Sequence, residues 1–298
     1  MRITGLHLLL TYQCTLECDH CFVWGSPKQS GTMTLRDIGE ILQQAKEVGS
    51  IEWIYFEGGE PFLFYATMSN GMRQAAEMGF KVGVVTNGYW ATSLEDAREN
   101  LKPLAGLVQD LSVSSDLFHY DEKISRQCQW ALAAADEMSI PVGVISIAQP
   151  CSGNGAQSSG QLPLGESRMM FRGRAVDKLA AEAAACDWQQ FNECPYEDLN
   201  EPGRVHLDAL GNVHICQGIS VGNFHKNHLS EIFANYDPVT DPIISTLIKG
   251  GPAELLRRYE IAPQENYADA CHLCYQARVM LRDRFAQVLG PDQVYGVF

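Results

Sequence analysis

Five short apolar runs alternate with stretches of helical spacing in the first half of the chain, and this restricts it to a sheet built from strand–helix repeats. The runs are Gly5–Leu10, Trp53–Phe56, Lys81–Thr86, Val108–Ser114 and Pro141–Ile147. Between the first two, Leu35, Ile38, Ile41, Leu42, Ala45 and Val48 recur at the period of a helix. Thr34 stands as its N-cap with Asp37 three residues on, and Met33 can staple onto Ile38. Further helices are predicted over Ala66–Glu77, Leu94–Asn100 and Tyr120–Met138. Alternation of this kind implies parallel strands, in an open sheet or one curled into part of a barrel. Ligands collect at the carboxyl ends of such strands.

The polar motifs fall at those ends. Cys14-Thr15-Leu16-Glu17-Cys18-Asp19-His20-Cys21 follows the first strand and Gly58-Gly59-Glu60-Pro61 the second. Thr86-Asn87-Gly88 ends the third, and Ser114-Ser115-Asp116 ends the fourth. Three thiolates on one tight loop are one short of the four that tie up every iron of a cubane cluster, which leaves one iron open to a small molecule. Zinc is the rival reading of C-x3-C-x2-C; His20 invites it, but Cys21 occupies the geometry that His20 would need. Glycines at 58 and 59 would let backbone approach a polar ligand where a side chain would block it.

Composition narrows the classes. The 298 residues are 46% hydrophobic and 19% charged, enough for a large α/β domain and a smaller satellite. The net charge is −14 and no basic stripe is present, which argues against a nucleic-acid substrate. Ten cysteines clustered as C-x3-C-x2-C and C-x2-C favour metal in a reducing compartment over disulfides. Leu6-His7-Leu8-Leu9-Leu10 makes a poor signal core, being interrupted by His7 and followed by Tyr12-Gln13. No apolar stretch approaches the roughly 20 residues that span a bilayer. The expected location is the cytoplasm, with no membrane partner.

Together the four motifs resemble the radical S-adenosylmethionine (SAM) enzymes. The resemblance implies that Cys14, Cys18 and Cys21 hold a 4Fe-4S cluster whose open iron chelates SAM. His20 fills the slot of the family's aromatic residue that packs on the adenine. Gly58, Gly59 and Glu60 match the run that contacts the SAM amino group through backbone and carboxylate. Asn87 belongs to the matching third-strand turn, and Ser114 and Asp116 match the Ser-x-Asp that reaches the ribose hydroxyls. Ile145 and Ile147 could wall the adenine or simply pack the core. The implied fold is α/β: a partial (β/α)6 TIM-like barrel over residues 1–185, then a smaller twitch/SPASM-like domain over 186–298. An electron donor such as flavodoxin or ferredoxin is the implied partner.

Residues 151–165 form a Gly/Ser-rich stretch, read as a surface connection or a substrate lid. Beyond it, Val205–Asp208, a turn with Gly211-Asn212, and Val213–Cys216 read as a hairpin. This pattern, with Cys271-His272-Leu273-Cys274, resembles the twitch form, which implies a second, auxiliary 4Fe-4S cluster on Cys194, Cys216, Cys271 and Cys274. Cys186 competes with Cys194, and zinc on four thiolates is the alternative. Only five cysteines lie beyond residue 180, so a second cluster fits and a third does not.

Cys128 reads as a small buried hydrophobe, and Cys151 as a possible hydrogen-atom donor. Arg172 and Arg174 read as substrate contacts or solvated helix-entry charges, and His225 and His228 as a solvated turn. The functional expectation is net oxidation of a small molecule through the auxiliary cluster. The alternatives are a peptide maturase, for which no leader-binding domain has room before the first strand, or a non-catalytic iron–sulfur or zinc electron-transfer or binding protein.

Overall fold

The structure, a computed structural model, describes residues 1–150 and 165–298; Cys151 and nearly all of the 151–165 stretch lie outside them. The strands are β1 Gly5–Leu9, β2 Trp53–Glu57, β3 Lys81–Thr86, β4 Asp110–Ser114, β5 Val142–Ile147, β6 Gly165–Ser167, β7 Arg204–Asp208, β8 Asn212–Cys216 and β9 Ile219–Asn223. Among the described residues they form one sheet in the order β6-β5-β4-β3-β2-β1-β7-β8-β9. All pairs from β6 to β7 are parallel, and β7-β8 and β8-β9 are antiparallel. β7 pairs with β1 through Gly5↔Arg204 to Leu9↔Asp208, so the sheet runs unbroken from the first half into the second.

The helices are α1 Leu35–Val48, α2 Tyr65–Glu77, α3 Leu94–Leu101, α4 Arg126–Glu137, α5 Arg174–Lys178, α6 Leu229–Ala234, α7 Ile244–Tyr259 and α8 Ala270–Leu281. Thr34 and Asp37 form a reciprocal capping box at α1, and Gly49 ends that helix in the left-handed region. The helix expected from Tyr120 starts instead at Arg126. Ser125 caps it by accepting from the Cys128 amide, while the Tyr120 hydroxyl is drawn away to the Asn87 carbonyl at 2.8 Å. The third C-terminal strand, β9, has no counterpart in the sequence reading.

Strand alternation separates two interiors. Leu6, Leu8, Ile54, Phe56, Val82, Val84, Leu111 and Val113 face outward and pack with Ile38, Ile41, Leu42, Met68, Met72, Ala131 and Ala135 of the helices. Cys128 is fully buried in that core, as a small apolar side chain would be. The other face carries His7, Leu9, Tyr55, Glu57 and Val85, which line a cavity. A second apolar cluster, including Tyr12, Val23, Ile215, Leu273 and Tyr275, packs the C-terminal elements against the segment around the first cysteines. No helix among the described residues is long and apolar enough to cross a membrane.

The β7–β8 turn is organised by Asp208, which is fully buried. Its carboxylate accepts from the Leu210 and Asn212 amides at 2.9 and 2.8 Å, the Tyr12 hydroxyl at 2.9 Å and His214 Nε2 at 3.1 Å. Burial pushes this acid up, but the His214 contact and the other donors outweigh it and hold the group below its ordinary range. A depressed acid stabilises the fold above its ordinary value and loses that contribution as pH falls. Asp208→Ala leaves these buried donors unpaired and should cost ~3–5 kcal/mol. Denaturant unfolding checks this, and a loss below about 1 kcal/mol contradicts the role given to Asp208.

Candidate active site

The chain leaving β1 turns into the Cys14–Cys21 loop, whose sulfurs receive backbone donors. Leu16 N–H points to Cys14 Sγ at 3.4 Å and Gly25 N–H to Cys21 Sγ at 3.2 Å; Asn87 Nδ2 lies 3.5 Å from Cys14 Sγ. Burial pushes the Cys14 thiol up to about 12 and the Cys18 thiol higher still, and the neighbouring cysteine charges act in the same direction. Amide donors favour a charged sulfur while burial opposes it, so thiolates at Cys14 and Cys18 require positive charge from a bound group. An iron–sulfur cluster fits that donor set.

The glycine run also packs against the chain entering the cysteine loop. A Cβ on Gly59 would stand 2.1 Å from the Gln13 carbonyl oxygen, and Gly59 N–H and Glu60 N–H donate to the Thr11 and Gln13 carbonyls at 2.7 and 2.8 Å. The close approach is therefore made to the chain entering the cysteine loop. Glu60 has partners within the chain. It is fully buried, it does not line the cavity, and its carboxylate accepts from Thr86 Oγ1 at 2.8 Å, Phe62 N at 3.0 Å and Asn87 N at 2.7 Å. Burial raises this acid to about 7, less the effect of those donors. Glu60 thus ties the end of β2 to the turn after β3.

Gly58, Gly59, Asn87, Ser114, Asp116, Ile145 and Ile147 line one cavity with Cys14, Cys18, Cys21 and His20. Asp116 accepts from the Phe118, His119 and Ile147 amides at 2.9, 3.1 and 3.0 Å and contacts His119 Nδ1 at 2.8 Å. Burial raises it, but His119 and the amides hold it at about 2. His20 stacks on Phe118 with centroids 4.7 Å apart. Burial, with His119 beside it, pushes His20 down to about 3, so at neutral pH its ring is uncharged. A flat neutral ring suits the aromatic slot.

Arg172 and Arg174 are neither solvated nor loosely placed: they are 8% and 3% exposed. The Arg174 guanidinium donates to the Cys18 and Gly25 carbonyls at 2.7 and 2.8 Å, and its amide donates to the Cys21 carbonyl at 2.9 Å. Gly173, at φ +62°, lies so close to Cys21–Phe22 that a Cβ would meet Phe22 Cα at 2.6 Å. Arg172 stacks over Phe22 at 4.8 Å and places Nη1 3.3 Å from Cys216 Sγ. Phe171 N–H donates to Asp269, which caps α8.

Cys271 and Cys274 occupy the first turn of α8. Burial drives the Cys194 thiol up to about 12 and raises Cys271 and Cys274 as well, and the charge of Cys216 adds to all three. Cys194, Cys216, Cys271 and Cys274 thus lie within electrostatic reach of one another. Cys186 is not among them; its backbone pairs with Tyr267 and its sulfur faces the Ala184 carbonyl at 3.9 Å. His228 caps α6 and pairs with Glu47 at 3.0 Å.

The sequence reading missed the polar floor of the cavity. Glu57 lies 3.2 Å from His7 Nδ1 and 3.3 Å from His206 Nε2. Two histidines and a carboxylate also suit a metal ion, but the Arg204 guanidinium lies 3.3 Å from the same His206 nitrogen and opposes a cation there. His7, alone among the leucines of β1 at an inward position, was the available signal.

Residues 8–133 match the model described as the radical SAM superfamily. That segment, 126 of the 298 residues, is thus similar to the radical SAM superfamily. It is 29% identical over 111 residues to YydG of Bacillus subtilis (strain 168), named for peptide biosynthesis, covering 37% of this chain and 35% of that one. It is 36% identical over 107 residues to the tungsten-containing aldehyde ferredoxin oxidoreductase cofactor-modifying protein of Pyrococcus furiosus, covering 36% of this chain and 28% of that one. The matches thus span about a third of these radical SAM relatives. The structure of native anSMEcpe with bound AdoMet and Kp18Cys peptide superposes with a TM-score of 0.50 at 12% identity, over 96% of this chain and 97% of that one, a likeness of fold alone.

Because Gly59 meets Gln13, a Gly59→Val side chain displaces the approach to Cys14. After anaerobic reconstitution this variant should lose about four irons as well as SAM binding. Full iron with only SAM affinity lost would restore the ligand-contact reading of Gly59.

Proposed function

We propose that this radical SAM enzyme abstracts hydrogen from its substrate and completes a net oxidation with a second iron–sulfur cluster on Cys194, Cys216, Cys271 and Cys274. One observation carries the reading: a single cavity is lined by Cys14, Cys18 and Cys21 and also by Arg172, which contacts Cys216 at 3.3 Å. When bound, a 4Fe-4S cluster on the first three cysteines leaves one iron open to SAM and supplies the electron that splits it into methionine and a 5′-deoxyadenosyl radical. On Cys194, Cys216, Cys271 and Cys274, four thiolates close a cluster against SAM and suit it to accept one electron from the substrate.

The chain's own residues bind and orient. Gly58, Gly59, Asn87, Ser114 and Ile147 wall the space for SAM, and neutral His20 offers its ring to the adenine. His7, Tyr55, Glu57, Arg204 and His206 form the floor that meets the substrate. Electrons enter from a flavodoxin- or ferredoxin-type donor. A small-molecule substrate is the first reading. A peptide is the second, favoured by the match to YydG, which is named for peptide biosynthesis.

Dithionite-reduced enzyme should release 5′-deoxyadenosine from SAM, and a variant with Cys14, Cys18 and Cys21 all changed to Ala should not. The Cys271→Ala, Cys274→Ala variant should lose about four irons yet still release 5′-deoxyadenosine. Zinc in place of that iron in the parent would overturn the oxidative role of the second site.

A further inference from the structure

We infer that the Arg172 guanidinium sets the reduction potential of the cluster held by Cys194, Cys216, Cys271 and Cys274, making that site the stronger electron acceptor. The inference rests on the second-cluster reading above. Arg172 is always charged, is 8% exposed and points Nη1 at Cys216 Sγ from 3.3 Å. Its Nε has no partner. Among the described residues two carboxylates feel its charge: Glu197, 3.9 Å away and already engaged by Arg204 at 3.2 Å, and Asp269, which it helps to hold ionised. The contact with the Cys216 sulfur is shorter than the one with Glu197, and it lies in surroundings that screen charge poorly.

A cluster bound by four thiolates is anionic, and each electron it accepts makes it more so. Cluster potentials respond to net charge, hydrogen bonds to sulfur and exposure to solvent. Arg172 supplies the first two and helps to exclude the third. Arg278, 1% exposed, stands on another side, bonded to the Gln217 carbonyl at 2.9 Å and reaching the Cys274 carbonyl at 3.4 Å, and its charge favours a charged Cys274 sulfur as well. Only Arg172 of the two also lines the cavity. It is therefore a positioning residue for electron transfer, with its charge between the substrate space and the acceptor.

The test is a redox titration of anaerobically reconstituted holoenzyme followed by electron paramagnetic resonance, with the first cluster recognised by its response to SAM. Arg172→Met should lower the potential of the second cluster. At the parent's midpoint, the ratio of reduced to oxidised cluster should fall at least tenfold, about 59 mV for one electron. Arg172→Lys keeps a charge but not the planar fork, and should fall by less. Two clusters in the parent with an unmoved potential in Arg172→Met overturn the inference alone. A parent with only one cluster overturns the second-cluster reading and this inference with it. If Arg172→Met does not hold the second cluster, Arg172→Gln, which removes the charge and keeps a polar side chain, decides: a lowered potential supports the inference and an unchanged one overturns it.

Discussion

The site depends on one buried contact: the Arg174 guanidinium on the carbonyls of Cys18 and Gly25. A loop that must hold three thiols close together has little apolar surface of its own to bury and needs bracing from elsewhere in the chain. The brace is the short segment 171–174. Charge-assisted hydrogen bonds of this kind contribute about 1.5–3 kcal/mol each, and the guanidinium also stacks over Trp24 at 5.4 Å. The same four residues contact Asp269, Cys216 and Phe22. One short segment therefore sets both cysteine groups relative to each other and to the cavity between them.

The cavity itself follows from strand alternation. Leu6 and Leu8 point to the helices and leave His7 and Leu9 for the inside, and Tyr55 and Glu57 do the same on β2. A barrel closed all round fills its interior with apolar layers. Here the sheet is open, and β7 extends it with His206 directly beside His7. The inner face can then remain polar and partly empty, as a chamber for two ligands requires.

Much of this was legible in the sequence, for identifiable reasons. Local signals carried the strands of the first half and the α1 capping box, because periodicity and caps are properties of neighbouring residues. Strand-end placement brought Cys14, Cys18, Cys21, Asn87 and Ser114 to one cavity. What was not legible depends on contacts far apart in the chain. Glu60 turns inward because Thr86 and Asn87 offer donors, and Gly59 is small because Gln13 crosses it. Arg172 and Arg174 looked like surface charges because their partners, Cys216 and the Cys18 carbonyl, lie 44 and 156 positions away. Helix α4 begins at Arg126, not Tyr120, because the Tyr120 hydroxyl bonds to the Asn87 carbonyl, a tertiary preference that helix propensity does not register.

The central claim is that one cavity lies between two iron–sulfur sites. An anomalous difference map at the iron absorption edge, from crystals of anaerobically reconstituted enzyme with SAM, tests it most directly. The account predicts two compact iron peaks, one at Cys14, Cys18 and Cys21 and one at Cys194, Cys216, Cys271 and Cys274, with SAM against the first. A single iron peak, or a second peak that appears only at the zinc edge, would contradict it.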